Sequence, residues 1–462
     1  MKKVALSALA AVVISGVASA DALTLYSDPK TGQVFTTPGE GRVEMGDFVS
    51  AKEVDMQLRD IESKGSEYQD KMSKYVNVKS KAKTLEFSGT HYFGLTSNSY
   101  GEQNWNGGDR STGFELRRNY LQAKAYFNDK DYFRVTMDTT KELESGTTYA
   151  NMYAKYAYLY LDKVLPYTGV EIGIAHRPWI DYEEHNSWYY RSINKVILED
   201  KFSTAWTKDQ SVSANSITSV GPDVLNSADL GVNFKTKTDY FSSELGIFNG
   251  EGYHADKNAN NQQNSSDLSF EWRLTGHLLG NGTKVGKYKL DKDTYANISF
   301  AGLSSKNHKD NNDVVNDASE YDRNAYWFHA VYNQPEFLIA AQYDISKDKV
   351  QDTGAETKLK MWSVNGEVRP AQDWTVLARY DSMKTEYSND ATKNNKNVGD
   401  ATQFIYGVSY QYNKNVNFIA SGKTVNAKDE TAVTGGYTGA TATTVGNMLD
   451  KQSWMLTTEV KW

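Results

Sequence analysis

The pattern of apolar and polar positions changes character near residue 85. From there to the end of the chain, apolar residues recur at every second position. The last stretch is the clearest. Trp454, Leu456, Thr458, Val460 and Trp462 fall on one side of an extended segment, and Ser453, Met455, Thr457, Glu459 and Lys461 fall on the other. Phe133, Val135 and Met137 oppose Arg134, Thr136 and Asp138. Leu245 and Ile247 oppose Glu244, Gly246 and Phe248, while Trp374, Val376, Ala378 and Tyr380 oppose Thr375, Leu377, Arg379 and Asp381. In each set the charged members share a face. Alternation of this kind predicts strands with one apolar and one polar side. Sixteen spans carry it: 85–95, 114–127, 131–141, 149–161, 168–175, 227–235, 240–250, 267–279, 293–303, 325–333, 336–345, 357–368, 373–383, 402–411, 415–423 and 452–462. A segment near Val196–Trp206 is a further candidate, but adding it alone makes the total odd.

The gaps between spans run mostly long, short, long, short. Asn128-Asp129-Lys130, Gln334-Pro335 and Asn413-Lys414 are short; 96–113, 176–226, 304–324 and 424–451 are long. Two depart from the rule, since 280–292 is long for its side and 142–148 is short for its side. Outer-membrane barrels sort their connections this way, with short periplasmic turns, long outside loops and an even strand number. The expected fold is therefore all-β: a 16-stranded antiparallel transmembrane barrel over 85–462, with both ends in the periplasm. A soluble β-sandwich or propeller has no reason to sort its loops.

A different period precedes it. Val54, Leu58, Ile61, Gly65, Tyr68, Met72 and Tyr75 alternate spacings of four and three, a heptad seam weakened at Gly65. An isolated helix of this length is marginal in water. The segment 52–80 is thus expected to be a periplasmic helix that pairs with copies of itself as a short coiled coil or lies against another surface. Residues 21–51 read as a small leader hairpin, with Leu23–Tyr26 and Gln33–Thr36 flanking the turn Asp28-Pro29-Lys30-Thr31-Gly32. Residues 1–20 read as an export signal: Lys2 and Lys3, an apolar run, then Ala18-Ser19-Ala20.

Composition changes the picture little. Mean hydropathy is −0.64, which in isolation suggests a water-soluble chain. Transmembrane strands escape that measure because only alternate residues are apolar. The 31 Tyr suit aromatic girdles at the two interfaces. There is no cysteine, so disulfides, thiolate ligands, haem attachment and cysteine nucleophiles are excluded. The net charge of −7 with scattered Lys offers no basic stripe for nucleic acid.

Several segments resemble the phosphate-selective (polyphosphate/phosphate type) outer-membrane porin family. Phe114-Glu115-Leu116-Arg117-Arg118-Asn119-Tyr120-Leu121-Gln122-Ala123-Lys124-Ala125 is similar to its early strand with paired arginines, and Tyr132–Asp138 to the next. Gly246-Ile247-Phe248-Asn249-Gly250 resembles its Phe-Asn-Gly strand end, and Arg379-Tyr380-Asp381 a late strand. Asn365-Gly366-Glu367-Val368-Arg369 resembles a Thr-Gly-Glu-x-Arg turn, with Asn in place of Thr. A C-terminal aromatic is similar to the signal read by the barrel-assembly machinery, although Phe is commoner there than Trp462. The likeness covers roughly 85–462.

It implies a homotrimer in the outer membrane, with a long third loop, here 176–226, folded into the pore. Tyr190-Arg191-Ser192 stands where the family has Glu-Arg-Ser, which loses an acidic residue. Arg177, Arg191 and Lys195 are then constriction candidates. Strand alternation turns Arg118, Lys124, Arg134 and Arg379 inward, but also Asp138, Glu244, Asp381 and Glu459, so no dense basic ladder appears and the preferred ion stays open.

Other chemistry is thin. No two of the seven histidines stand four apart, so there is no zincin motif. His176 to His185, with Asp181, Glu183 and Glu184, is a loop cluster able at most to hold a divalent cation weakly. Asp310-Asn311-Asn312-Asp313 lacks the Gly and Glu of a calcium loop, and Gly435-Gly436-Tyr437-Thr438-Gly439 lacks the Lys of a phosphate cradle. The expected function is passive diffusion of small hydrophilic solutes or ions, with no catalysis, metal or cofactor. Alternatives are a barrel sheathing a partner such as a multihaem complex, which needs a wide lumen without an inward loop, and a surface structural or adhesive β protein.

Overall fold

The computed structural model describes residues 23–48, 59, 81–100, 110–140, 151–208, 215–220, 222, 224–250, 252–253, 267–280, 294–308, 321–351, 354–388, 395–428 and 451–462. The expected export signal, and the helix at 52–80 apart from Arg59, lie outside them. The chain divides into two compact units, Met1–Lys81 and Ala82–Trp462.

In the first unit β1 (Leu23–Ser27) pairs antiparallel with both β2 (Val34–Phe35) and β3 (Val43–Phe48). Asp28 closes the first turn. Its carboxylate accepts from the Lys30 amide at 2.8 Å and the Thr31 hydroxyl at 2.9 Å, and Gly32 takes φ +70°, a conformation favouring glycine.

The second unit is a closed antiparallel barrel of sixteen strands. They are β4 (Thr84–Tyr100), β5 (Arg110–Tyr126), β6 (Tyr132–Thr140), β7 (Asn151–Leu165) and β8 (Thr168–His176), then, after the hairpin β9 (Ser203–Lys208) and β10 (Asn215–Val220), β11 (Ala228–Lys237), β12 (Phe241–Phe248), β13 (Ser269–Leu279), β14 (Tyr295–His308), β15 (Tyr321–Gln334), β16 (Phe337–Val350), β17 (Glu356–Ala371), β18 (Trp374–Ser388), β19 (Asn395–Gln411), β20 (Val416–Lys428) and β21 (Lys451–Lys461). Each of the sixteen expected spans coincides with one barrel strand. Of the extra candidate near 196–206, residues 203–206 lie in β9, which among the described residues pairs with β10 in a separate two-stranded sheet.

Closure is made where β21 meets β4, from Lys451↔Tyr100 to Lys461↔Thr90. The last residue seals it. Trp462 and Gly89 exchange two backbone hydrogen bonds, at 2.9 and 3.1 Å. The indole N–H donates to His91 Nε2 at 2.9 Å, so the other ring nitrogen carries the proton donated to Asn119 Oδ1 at 2.6 Å. A Cβ on Gly89 would stand 2.5 Å from the indole, which accounts for glycine there. With no edge left open, the backbone is satisfied inside hydrocarbon.

The outer surface is the apolar face expected of the alternation. Ile172, Leu245, Ile247, Ile298, Ile339, Val364, Val376 and Leu456 are all exposed on it. Phe127, Tyr167, Tyr240, Trp374, Tyr412 and Trp462 ring the short-turn end, as an interfacial girdle does. At the other end Lys360 and Glu386 pair outside the wall at 3.0 Å, one step beyond the Trp362–Tyr380 ring contact. Charge there marks the edge of the lipid band. Several strands, β16, β18 and β19 among them, run five or more residues past the apolar alternation because the ladder continues in water after the need for apolar partners has ended.

Among the register shifts of the barrel, those in β5 and β7 bear on the inner wall. Tyr92 faces Arg118 and Phe93 faces Leu116, leaving Arg117 as an extra residue in β5. Thr136 faces Tyr156 and Met137 faces Ala154, leaving Lys155 as an extra residue in β7. A bulge re-aims the side chain it adds, and both added side chains are basic and turn into the lumen.

Candidate pore and its constriction

The loop that leaves β8 packs into the barrel at residues 177–202, 224 and 225. The loop carries helix α1 (Ile180–Asn186), a short 3₁₀ turn at 197–199 and the hairpin β9–β10. Trp179, Ile180, Tyr182, Trp188, Tyr190, Ile193, Val196, Ile197, Leu198 and Phe202 are buried against Trp327, Leu359, Met361, Leu377, Met383, Ile405, Ile419 and Val425. These wall residues are apolar and face inward, an arrangement a water-filled lumen would not need. They form a seat for the loop on β15–β20. Each large side chain so buried stabilises the seat by ~1.5–3 kcal/mol.

Polar contacts fix the position of the loop. Tyr295 donates to Asn186 O at 2.5 Å, Asn365 to Ser187 O at 2.8 Å, Arg379 to Lys195 O at 2.6 Å and Gln403 to Asp200 at 2.6 Å. Tyr190 donates to Glu367, and Lys423 to Asn194 Oδ1 at 3.1 Å. Satisfying these groups matters because a buried donor or acceptor left unpaired is costly. The contacts run from β14 to β20, and Arg117 on β5 adds one to Ile193 O at 3.3 Å.

The charged candidates separate into two groups. Arg177, Arg191, Arg379 and Asp381 are buried in ion pairs. Arg177 bonds Glu271 at 2.8 Å and Arg191 bonds Glu199 at 2.7 Å and also Glu184; Arg379 bonds Asp381 at 2.9 Å with Trp188 over its guanidinium at 4.9 Å. Lys195 is half exposed and stands 3.3 Å from Glu199. Breaking such pairs leaves an uncompensated buried charge, so their place is to hold the loop. Burial pushes the Glu183 carboxyl of α1 up to about 7, against the pull of Arg379; Trp179 Nε1 donates to it at 2.7 Å.

Arg118, Lys124, Arg134 and Asp138 lie instead on β5 and β6, away from the apolar seat of the loop. Lys124 and Arg134 are direct cross-strand partners. Like charges placed opposite each other destabilise a sheet, so this pair points to a role outside folding. Tyrosines interleave with the cations. Arg118 lies over Tyr120 at 4.2 Å and Tyr92 at 5.5 Å; Arg134 lies over Tyr156 at 4.6 Å and Tyr158 at 5.7 Å; Lys124 lies 5.4 Å from Tyr132. Asp138 accepts from the Asn119 amide at 3.1 Å and from Tyr153 at 3.3 Å. Sequence reasoning passed over Arg117 and Lys155, because strict alternation sends one member of each adjacent pair, Arg117-Arg118 and Lys155-Tyr156, to the lipid side.

At the root of the loop His176 donates from Nδ1 to Glu171 at 3.1 Å, leaving Nε2 to accept from Arg134 at 3.3 Å. Glu171 also takes Lys235 at 3.1 Å. Asp181 reaches His185 at 3.4 Å, and among the described residues no three His, Asp or Glu are arranged to hold a metal ion.

No protein-family model matches the sequence, and a search of curated proteins finds no match. Solved structures match by fold. An anion-selective porin from Comamonas acidovorans aligns over 82% of this chain and 99% of its own, with a TM-score of 0.52 at 12% identity. OmpT of Vibrio cholerae aligns over 83% and 99%, with a TM-score of 0.49 at 14% identity. The chain is thus a 16-stranded transmembrane barrel that resembles outer-membrane porins in fold.

Proposed function

We infer that the protein is an outer-membrane pore for passive diffusion of small hydrophilic solutes, biased toward anions. The observation that carries this reading is the unequal wall. The loop's apolar seat lies on β15–β20, while the inner face of β5–β7 carries Arg117, Arg118, Lys124 and Arg134 among tyrosines. Several buried carboxylates are already committed, as Glu171, Glu199, Glu244, Glu271, Glu367 and Asp381 each hold a cation. A low-dielectric channel lined by one sign of charge raises the local concentration of the opposite ion.

Inorganic phosphate is one anion of this class, as the likeness of residues 85–462 to phosphate-selective porins implies. The same likeness supports a trimer with its N-terminal segment in the periplasm. A sheath for an electron-transfer partner requires a wide lumen, and the seated loop argues against it. Incorporation of the purified, folded protein into planar bilayers tests the reading. Discrete, uniform current steps are expected. No conductance from protein that keeps its heat-modifiable gel migration would overturn it.

A further inference from the structure

Where the β5–β7 wall meets the loop, several hydrogen-bond donors converge with no acceptor among the described residues. Lys155 is 1% exposed, and among the described residues its ammonium has neither a hydrogen-bond nor an ion-pair partner. Three tyrosine rings surround it: Tyr120 at 5.0 Å, Tyr253 at 5.2 Å and Tyr156 at 5.7 Å. On the other side of this cluster the Arg118 guanidinium lies over Tyr120 and Tyr92, again with no hydrogen bond or ion pair among the described residues. Tyr120 Oη is buried without a partner, and so is Nε of Arg191, which lies within electrostatic reach of Tyr120 and Tyr253.

An ammonium withdrawn from water without an acceptor is strongly unfavourable. Ring faces return only part of that loss. The like charges of Arg118 and Arg191 add repulsion, while Glu199 and Asp138 act on Lys155 from beyond ion-pair range. The lysine is here only because the β7 bulge turns it inward. A cation held so, with a second cation, a hydroxyl and flat apolar rings around it, lacks one component, an anion with a planar body.

We propose that Lys155, Arg118 and Tyr120 form a binding site for aromatic monocarboxylates such as benzoate on the inner wall of β5–β7. It rests on the pore reading above and adds a solute class to it. The guanidinium fork matches the two oxygens of a carboxylate, and its stacked face leaves those N–H groups at the edge. The Lys155 ammonium supplies the charge. The faces of Tyr92, Tyr120, Tyr156 and Tyr253 give a ring the offset or edge contacts it prefers. A hydrated halide or phosphate gains nothing from ring faces.

The test uses the purified, folded protein in a planar bilayer carrying chloride current. Sodium benzoate, sodium acetate and inorganic phosphate are added separately at equal ionic strength. Benzoate is expected to halve the current at a concentration about ten-fold below acetate or phosphate. Lys155→Met should remove that advantage while gel migration stays as in the wild type. Equal block by benzoate and acetate, equal block by phosphate, or an advantage that survives Lys155→Met each overturns the proposal with the pore reading intact. Calorimetric titration of the detergent-solubilised protein with benzoate reads the site without conduction. Saturable heat that Lys155→Met abolishes supports it, and absence of saturable heat overturns it, even for a preparation that shows no channels.

Discussion

Replacing Trp188 with alanine should release the loop without opening the barrel. The indole is 1% exposed and lies at the centre of the seat. It packs edge-on to Tyr190 with centroids 5.4 Å apart, donates to Asn194 O at 2.8 Å, and covers the Arg379 guanidinium at 4.9 Å. Truncating a buried tryptophan costs ~3–5 kcal/mol from the cavity and lost transfer energy alone. About 4 kcal/mol raises the ratio of unseated to seated loop by roughly 10³-fold. No barrel strand pairing involves Trp188, so the cost falls on local opening and leaves closure untouched. Trypsin reads this directly. Lys195 has a half-exposed side chain and Lys201 is exposed, so both become cleavable once the loop swings free. Folded Trp188→Ala protein should be cut between β8 and β11 far faster than the wild type, and its single-channel current should rise or flicker between levels. A variant with wild-type cleavage and wild-type current would refute the claim that this cluster holds the waist.

Further consequences follow from the same geometry. Glu183, ordinarily near 4.5, titrates at about 7 when the loop is seated. A raised carboxyl binds its proton more tightly in the seated state, so its contribution is full below about 4.5 and is lost as pH rises through about 7. Above that the charged carboxylate faces Asp344, Asp381 and Glu199 with only Arg379 and the Trp179 indole in its favour. Channel noise should therefore grow between pH 6 and 8, and Glu183→Gln should flatten the pH profile; an unchanged profile would remove Glu183 from the seat. On the outer face, Leu456→Arg should cost ~2–4 kcal/mol and depress the yield of folded barrel, whereas Ser88→Arg, inward and half-buried on β4, should assemble normally. Equal yields of heat-modifiable protein from the two would contradict the assignment of faces. Reversing the charge of the facing pair, Lys124→Glu with Arg134→Glu, should move the zero-current potential in a salt gradient toward cations; no shift would place the ion path elsewhere.

Much of the architecture is legible in the sequence, and the reason is the solvent on each side. Lipid on one face and water on the other write the alternation of Trp454 to Trp462 or Phe133 to Asp138 directly into the residues. The alternation falls silent where that contrast ends. Beyond Lys360 and Glu386 both faces meet water, and the upper strand lengths cannot be read. It also misleads at Arg117 and Lys155, because a bulge shifts the period by one and no local residue type announces it. The loop was legible as a long connection with many aromatics, but its seat was not. Alternation already turns Leu377 inward with Arg379, but that Leu359, Met361, Leu377 and Met383 join in one apolar patch is visible only once their strands are in register with one another. For the same reason Arg177, Arg191 and Arg379 read as possible solute contacts, whereas their partners Glu271, Glu199 and Asp381 take them up.

The inner wall of β5–β7 sets the path and its sign. The zero-current potential of wild-type channels in a potassium chloride gradient tests it most directly. The account predicts a potential of the sign given by faster chloride than potassium, shrinking as salt rises and screens the wall. A potential of the opposite sign, from channels with uniform current steps, would contradict it.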